Sequence, residues 1–111
     1  MYRNISVILL YWGMSNQIFT IIEASVEESR WNELEDKYIA VDKESLPTTV
    51  LNSNLVQDTS DPKIWRITTV WESLDAMKTY RASIETPIWL QIFQEVNADP
   101  ALIINDIKQS K

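Results

Sequence analysis

The stretch Ile64-Trp65-Arg66-Ile67-Thr68-Thr69-Val70-Trp71-Glu72-Ser73-Leu74-Asp75 decides the fold. Ile64 to Trp71 is rich in aromatic and β-branched residues, which suit a pleated, half-buried surface. Ser73 stands where a helix N-cap belongs, and Asp75 falls in the first helical turn. A hydroxyl there accepts a backbone N–H, and a carboxylate there suits the helix dipole. The stretch therefore reads as a strand that runs straight into a helix. Side chains alternate along a strand, so Trp65, Ile67 and Trp71 share one face, with Ile64, Arg66 and Val70 on the other.

Working forward, the helix extends from about Leu74 to Ile84, with Leu74, Met77, Tyr80 and Ile84 directed inward at helical spacing. Thr86-Pro87 restarts a helix, with Thr86 as N-cap and Pro87 at its first position. Ile88, Trp89, Ile92, Phe93 and Val96 form its buried stripe. Asn97-Ala-Asp-Pro100 breaks it, and Ala101 to Ile107 is a last strand with Ala101, Ile103, Asn105 and Ile107 on one face.

Working backward, Asp58 to Lys63 is a polar turn containing Pro62, which joins the opening strand to Val50–Asp58 as a hairpin. In that strand Asn52 and Asn54 share a face with Val50 and Val56, while Leu51 and Leu55 share the other. Gln17 to Ala24 reads as the first strand of the domain. It is apolar on both faces, with Ile18 and Ile22 on one and Phe19 and Ile21 on the other, as a strand covered on both sides would be. Ser25-Val-Glu-Glu28 reads as a capping box. The helix after it carries Trp31, Leu34, Tyr38 and Val41 on one stripe, with acidic residues around it, and Pro47 ends it.

The order is β-α-β-β-α-β, the ferredoxin-like α+β arrangement with an antiparallel sheet. At 111 residues the chain makes one domain. Helices cover one sheet face, yet the first and third strands are apolar on both. A second copy of the chain is therefore expected on the uncovered face, giving a symmetric homodimer.

Residues 1–14 stand apart. Arg3 precedes an apolar run from Ile5 to Trp12 that only Ser6 interrupts, too short to span a bilayer. Residues 1–13 are read as an upstream extension of a domain covering 15–111, with Met14-Ser15 as the natural start. An ordered extra strand and a cleaved signal are the other two readings. Net charge is −6 and the ten basic residues are scattered, which argues against nucleic acid as a partner. No cysteine and no histidine are present, so Ser–His and Cys–His catalysis, Cys/His zinc sites and a histidine haem ligand are ruled out. A single glycine rules out Gly-rich phosphate loops. The expectation is a cytoplasmic protein with no cofactor and no membrane contact.

On Thr69-Val70-Trp71-Glu72-Ser73 followed by an amphipathic helix, and on a first strand leading into a helix, the chain resembles the antibiotic biosynthesis monooxygenase (ABM) family of dimeric α+β barrels. The resemblance covers about Asn16 to Ile107. It implies that fold and a homodimer. Its members include cofactor-independent monooxygenases of phenolic polyketides, haem-degrading enzymes and proteins without known activity. The haem-degrading branch works with a strand-one asparagine, a tryptophan in helix two and a histidine. Here Tyr80 stands at the helix-two position, Asn16 lies at the very start of strand one, and histidine is lacking.

Six residues are candidates for a substrate pocket. Tyr80 on the inward stripe offers a polar tip in apolar surroundings. Trp71 offers a wall for an aromatic ligand, and Trp89 a further aromatic face, though both also suit a plain core. Arg66 lies mid-strand, where its guanidinium either binds an anionic oxygen or pairs with Glu23 or Glu72. Asn52 and Asn54 are amides among apolar strand residues that need partners. With such donors, a small aromatic or phenolic substrate could be deprotonated and oxidised by oxygen without a cofactor. The competing class is a non-catalytic dimer that binds a small molecule or fills its own interior.

Overall fold

A computed structural model describes residues 16–111. The extension and the boundary near Met14 lie outside the described residues. Four strands form one antiparallel sheet: β1 (Ile18–Ser25), β2 (Val50–Gln57), β3 (Ile64–Trp71) and β4 (Ala101–Asp106), in the order β2-β3-β1-β4. Three helices, α1 (Trp31–Ala40), α2 (Leu74–Ser83) and α3 (Ile88–Glu95), complete the ferredoxin-like α+β fold.

The opening stretch behaves as its residues dictate. In β3, Trp65, Ile67, Thr69 and Trp71 are buried beneath the helices, and the alternate residues are half-buried on the open face. Ser73 caps α2 by accepting the N–H of Ala76 at 3.0 Å. β1 alternates in the same way, with Ile18, Thr20, Ile22 and Ala24 inward. Two apolar clusters fill the space between sheet and helices. The larger includes Ile22, Leu34, Trp65, Ile67, Trp89 and Phe93. Phe93 has no exposed surface, and truncating such a ring to alanine removes about 3–5 kcal/mol. The smaller cluster joins Ile18, Trp71 and Met77, with Val50 and Tyr80 at its margin.

Several local expectations give way to tertiary contacts. The capping box at Ser25 does not form. Ser25 is the last residue of β1, and the N–H of Val26 still bonds the carbonyl of Lys63 at 2.8 Å. A 3-10 turn at Glu28–Arg30 follows, and α1 starts at Trp31 without a side-chain cap. The Trp31 indole instead donates to the carbonyl of Val26 at 2.9 Å. Helix α1 stops at Ala40, well before Pro47. A second 3-10 turn, Lys43–Ser45, is capped by Asp42, whose Oδ1 accepts the N–H of Glu44.

Thr86 does not cap α3, which is preceded by Pro87 and has no cap of its own type. The phenol of Tyr80 takes that place, as described below. On α2, Met77 is buried and Tyr80 half-buried, but Leu74 and Ile84 are exposed, and Ile84 has already left the helix. The end of α3 matches expectation: Asn97 adopts φ 66°, a left-handed cap that asparagine tolerates.

The face assignment in β2 needs a correction with consequences for function. A bulge lies between Val50 and Asn52: Val50 is opposite Trp71, and Asn52 is already opposite Val70. The extra residue, Leu51, shifts the alternation by one. Val50 therefore joins Ser53 and Leu55 on the helix side, while Asn52, Asn54 and Val56 face the open side.

Helices α1 and α3 are tied by a polar clamp. Arg30 grips Glu33 through two nitrogens and also donates to the carbonyl of Glu95 at 3.0 Å. Lys37 reaches the Glu95 carboxylate at 3.2 Å. Gln91 and then Lys37 hold the Glu95 carboxyl below its ordinary value of 4.5 by hydrogen-bonding its charged form. Among the described residues, no helix is long and apolar enough to cross a membrane.

Candidate functional site

The early stop of α1 and the bulge in β2 together open a cleft. Residues 41–48 leave the helix as a connector with one short 3-10 turn, Lys43–Ser45, and Val41, Leu46, Pro47 and Thr48 border the cleft. The resulting cleft holds about 850 Å3. Its floor is aromatic: the rings of Tyr38 and Trp89 stack with centroids 4.9 Å apart and planes 22° from parallel. Val41, Leu46 and Val50 supply apolar wall. The polar tips are the hydroxyls of Tyr38 and Ser53, which hydrogen-bond each other at 3.0 Å. Asn52 borders the cleft from β2, with its side chain on the open sheet face. This is the composition of a small-molecule site, mostly apolar with a few polar groups that fix orientation.

The six sequence candidates separate into three places. Asn52 and Trp89 line the cleft. Asn54 lines an adjoining groove of about 290 Å3 that shares Tyr38, Ile39 and Ser53 with it. The two amides also bond each other, Asn54 donating to Asn52 at 2.8 Å. Trp71 and Tyr80 lie together elsewhere, with ring centroids 5.6 Å apart. The Trp71 indole donates to Thr20 Oγ1 at 3.1 Å, and the Tyr80 hydroxyl accepts the N–H of Ile88 at 3.3 Å. Both polar tips thus have partners within the protein. Val50 touches both places, since it lines the cleft and packs on the Trp71 cluster.

Arg66 is on the opposite face of the sheet. Its Nε meets Glu23 Oε1 at 2.6 Å, across the β1–β3 ladder where the two residues are in register. The structural pairing with Glu23 is the one adopted, not that with Glu72.

Sequence reasoning missed Tyr38 and Ser53. Tyr38 was legible as a stripe residue whose hydroxyl would need a partner. Ser53 was not, because its turn toward the helices depends on the bulge at Leu51.

Sheet, helices and side cleft define a small ferredoxin-like α+β domain. A family model for antibiotic biosynthesis monooxygenases matches residues 18–95, and the chain belongs to that family. Solved structures share the fold. A conserved protein from Methanosarcina mazei Go1 superposes with a TM-score of 0.69 at 14% identity, covering 88% of this chain and 99% of the other. A candidate antibiotic biosynthesis monooxygenase from Deinococcus radiodurans gives 0.67 at 18% identity, covering 85% and 95%. A mutant of SnoaB, a cofactor-independent oxygenase from Streptomyces nogalater, gives 0.55 at 12% identity, covering 86% and 96%. At these identities the likeness is one of fold. Curated proteins gave no match.

Proposed function

We propose that this protein is a cofactor-independent monooxygenase that takes a small phenolic substrate into the cleft beside Tyr38 and Trp89. The observation that carries the reading is the stacked Tyr38–Trp89 floor beneath a paired Tyr38–Ser53 hydroxyl tip. A flat aromatic substrate lies against the rings, and its phenolate oxygen accepts hydrogen bonds from Tyr38 and Ser53. Donors aimed at a phenolate in apolar surroundings stabilise the anion that reacts with oxygen. Electrons come from the substrate. With an anthrone-type phenol, one oxygen atom of O2 becomes the new carbonyl, and the other leaves as water with the two hydrogens lost from carbon. Membership of the family and the fold shared with an oxygenase support the reading.

The same reading includes a homodimer in the cytoplasm. Phe19, Ile21, Ile64 and Val70 lie half-buried on the open sheet face, and Ile103 beside them is exposed. A second copy covering that face removes this apolar surface from water.

The test is oxygen uptake with an anthrone-type phenol, read beside quenching of tryptophan fluorescence. Tyr38→Phe is expected to lower turnover at least tenfold, about the worth of one hydrogen bond to a charged group. Unchanged turnover in Tyr38→Phe and Ser53→Ala would remove the proposed role. A non-catalytic binding protein is the second reading, favoured by the fact that the two cleft hydroxyls already satisfy each other. Fluorescence quenching without oxygen uptake would select it.

A further inference from the structure

Three hydroxyl side chains cross the helix side of the sheet in one row. Ser53 of β2 is in register with Thr69 of β3, and Thr69 with Thr20 of β1. The row runs between the two apolar clusters. On β3, Trp65 and Ile67 belong to the larger cluster and Trp71 to the smaller, with Thr69 between them. On β1, Ile22 and Ile18 stand on either side of Thr20 in the same way. At its β2 end the row opens into the cleft, where Ser53 meets the Tyr38 hydroxyl at 3.0 Å.

Hydrogen bonds run along this row and stop at one atom. The Trp71 indole donates to Thr20 Oγ1 at 3.1 Å, and the Thr20 hydroxyl donates to the Thr69 carbonyl at 3.5 Å. Tyr38 and Ser53 bond each other. Thr69 Oγ1 has no partner among the described residues, although Thr69 is only 1% exposed. A buried hydroxyl without a partner is unfavourable, and valine would fill the same space without that cost. Valine also suits a strand as well as threonine does. Neither packing nor strand formation therefore accounts for the hydroxyl.

We propose that Thr69 is a positioning residue of the cleft: its hydroxyl donates to Ser53 Oγ once an anionic ligand oxygen has taken the hydrogens of both Tyr38 and Ser53. The proposal rests on the phenol-binding reading above and deepens it. Each hydroxyl has one hydrogen to give. In the structure one of Tyr38 and Ser53 donates to the other. A phenolate that accepts from both uses both hydrogens, and the bond between the two hydroxyls ends. Ser53 Oγ is then left with lone pairs and no donor. The Thr20 and Trp71 hydrogens are already committed within the row. The Thr69 hydrogen is not, and it lies directly across the ladder from Ser53. Opposed Cβ atoms of an antiparallel pair are about 4.5–5.5 Å apart, and threonine–serine hydrogen bonds form across such pairs. A change between staggered threonine rotamers turns the hydroxyl toward Ser53. A donor to Ser53 also polarises its O–H and strengthens the bond that it gives to the phenolate.

The probe is an anthrone-type phenol, titrated without oxygen by quenching of tryptophan fluorescence, beside its methyl ether, which cannot ionise. Thr69→Val is expected to weaken binding of the ionised phenol about threefold to tenfold, the worth of one hydrogen bond, and to leave binding of the ether unchanged. The pH at which the bound phenol becomes phenolate, read from its absorption, should rise in that variant by about half a unit to one unit, the same factor on a pH scale. Thr69→Ser keeps the hydroxyl and should bind both ligands as the unaltered chain does. Thr69→Ala is a second variant without the hydroxyl and should show the same change in the ratio of phenol to ether binding. In Ser53→Ala, which removes the acceptor, adding Thr69→Val should have no further effect. Equal losses for phenol and ether, a loss in Thr69→Ser as large as in Thr69→Val, or additive effects of Thr69→Val and Ser53→Ala would overturn the proposal. So would unchanged phenol binding in Thr69→Val where Tyr38→Phe and Ser53→Ala weaken it, a result that leaves the cleft reading standing. No effect in any of the three variants removes both.

Discussion

The hydroxyl of Tyr80 accepts the backbone N–H of Ile88 at 3.3 Å, so the last turn of α2 caps the first turn of α3. A helix start leaves N–H groups without partners, and here a side chain from the preceding helix supplies one. Tyr80→Phe keeps the ring against Trp71 and removes that acceptor. The expected loss is about 1 kcal/mol, or roughly 4–8 °C in Tm for a domain of this size, with turnover preserved. Thermal unfolding and oxygen uptake on the same variant check it. A fall in turnover with no change in Tm would move Tyr80 into the chemistry.

Thr69 is buried under the helices, and its Oγ1 has no hydrogen-bond partner among the described residues. Burying an unpaired hydroxyl is unfavourable, and an apolar group of the same shape avoids that penalty. Thr69→Val is expected to leave stability unchanged or raise it by about 1 kcal/mol. Denaturant unfolding gives the answer. A loss above that size would show that the hydroxyl is satisfied in solution.

Arg66 and Glu23 form a cross-strand ion pair whose side chains are about one-third exposed. In a separate chain such a pair is worth less than about 1 kcal/mol. Covered by a second copy it is desolvated, and removing one partner then costs about 3–5 kcal/mol. Glu23→Ala should therefore weaken self-association far more than it lowers the stability of the dilute chain. Sedimentation over a concentration series, beside unfolding at nanomolar protein, separates the two. Equal effects at both concentrations would count against burial of this face between copies.

Glu95 carries the pH prediction. Its folded-state value lies below the ordinary 4.5 because Gln91 and Lys37 bind the carboxylate. The resulting stability is fully present above the ordinary value and is lost as pH falls through the lowered one. Glu95→Gln should flatten the acid limb of the stability curve below pH 4.5 and leave the alkaline limb unchanged. The carboxylate is largely exposed, so the difference should shrink in high salt. Identical acid limbs would show that Glu95 is not coupled to folding.

Much of the architecture follows from local rules. The alternation in Ile64–Trp71, the Ser73 cap and the stripe from Ile88 to Val96 each act over a few residues, where backbone geometry and burial pattern agree. These elements, their order and the open apolar face were all legible in the sequence. The site was not. Whether Arg66 met Glu23 or a ligand depended on a register set across 43 positions of chain. Tyr80 gained its partner from a connector that ends beside it, and Ser53 turned inward because Leu51 is one residue too many in its ladder. Tertiary structure decided where α1 began, because packing of Val26 and Trp31 outweighed a cap worth about 1 kcal/mol. The sequence by itself determined the elements, since period and capping are read from neighbours. The cleft arose from a bulge and an early helix end, both settled by contacts between residues far apart in the chain.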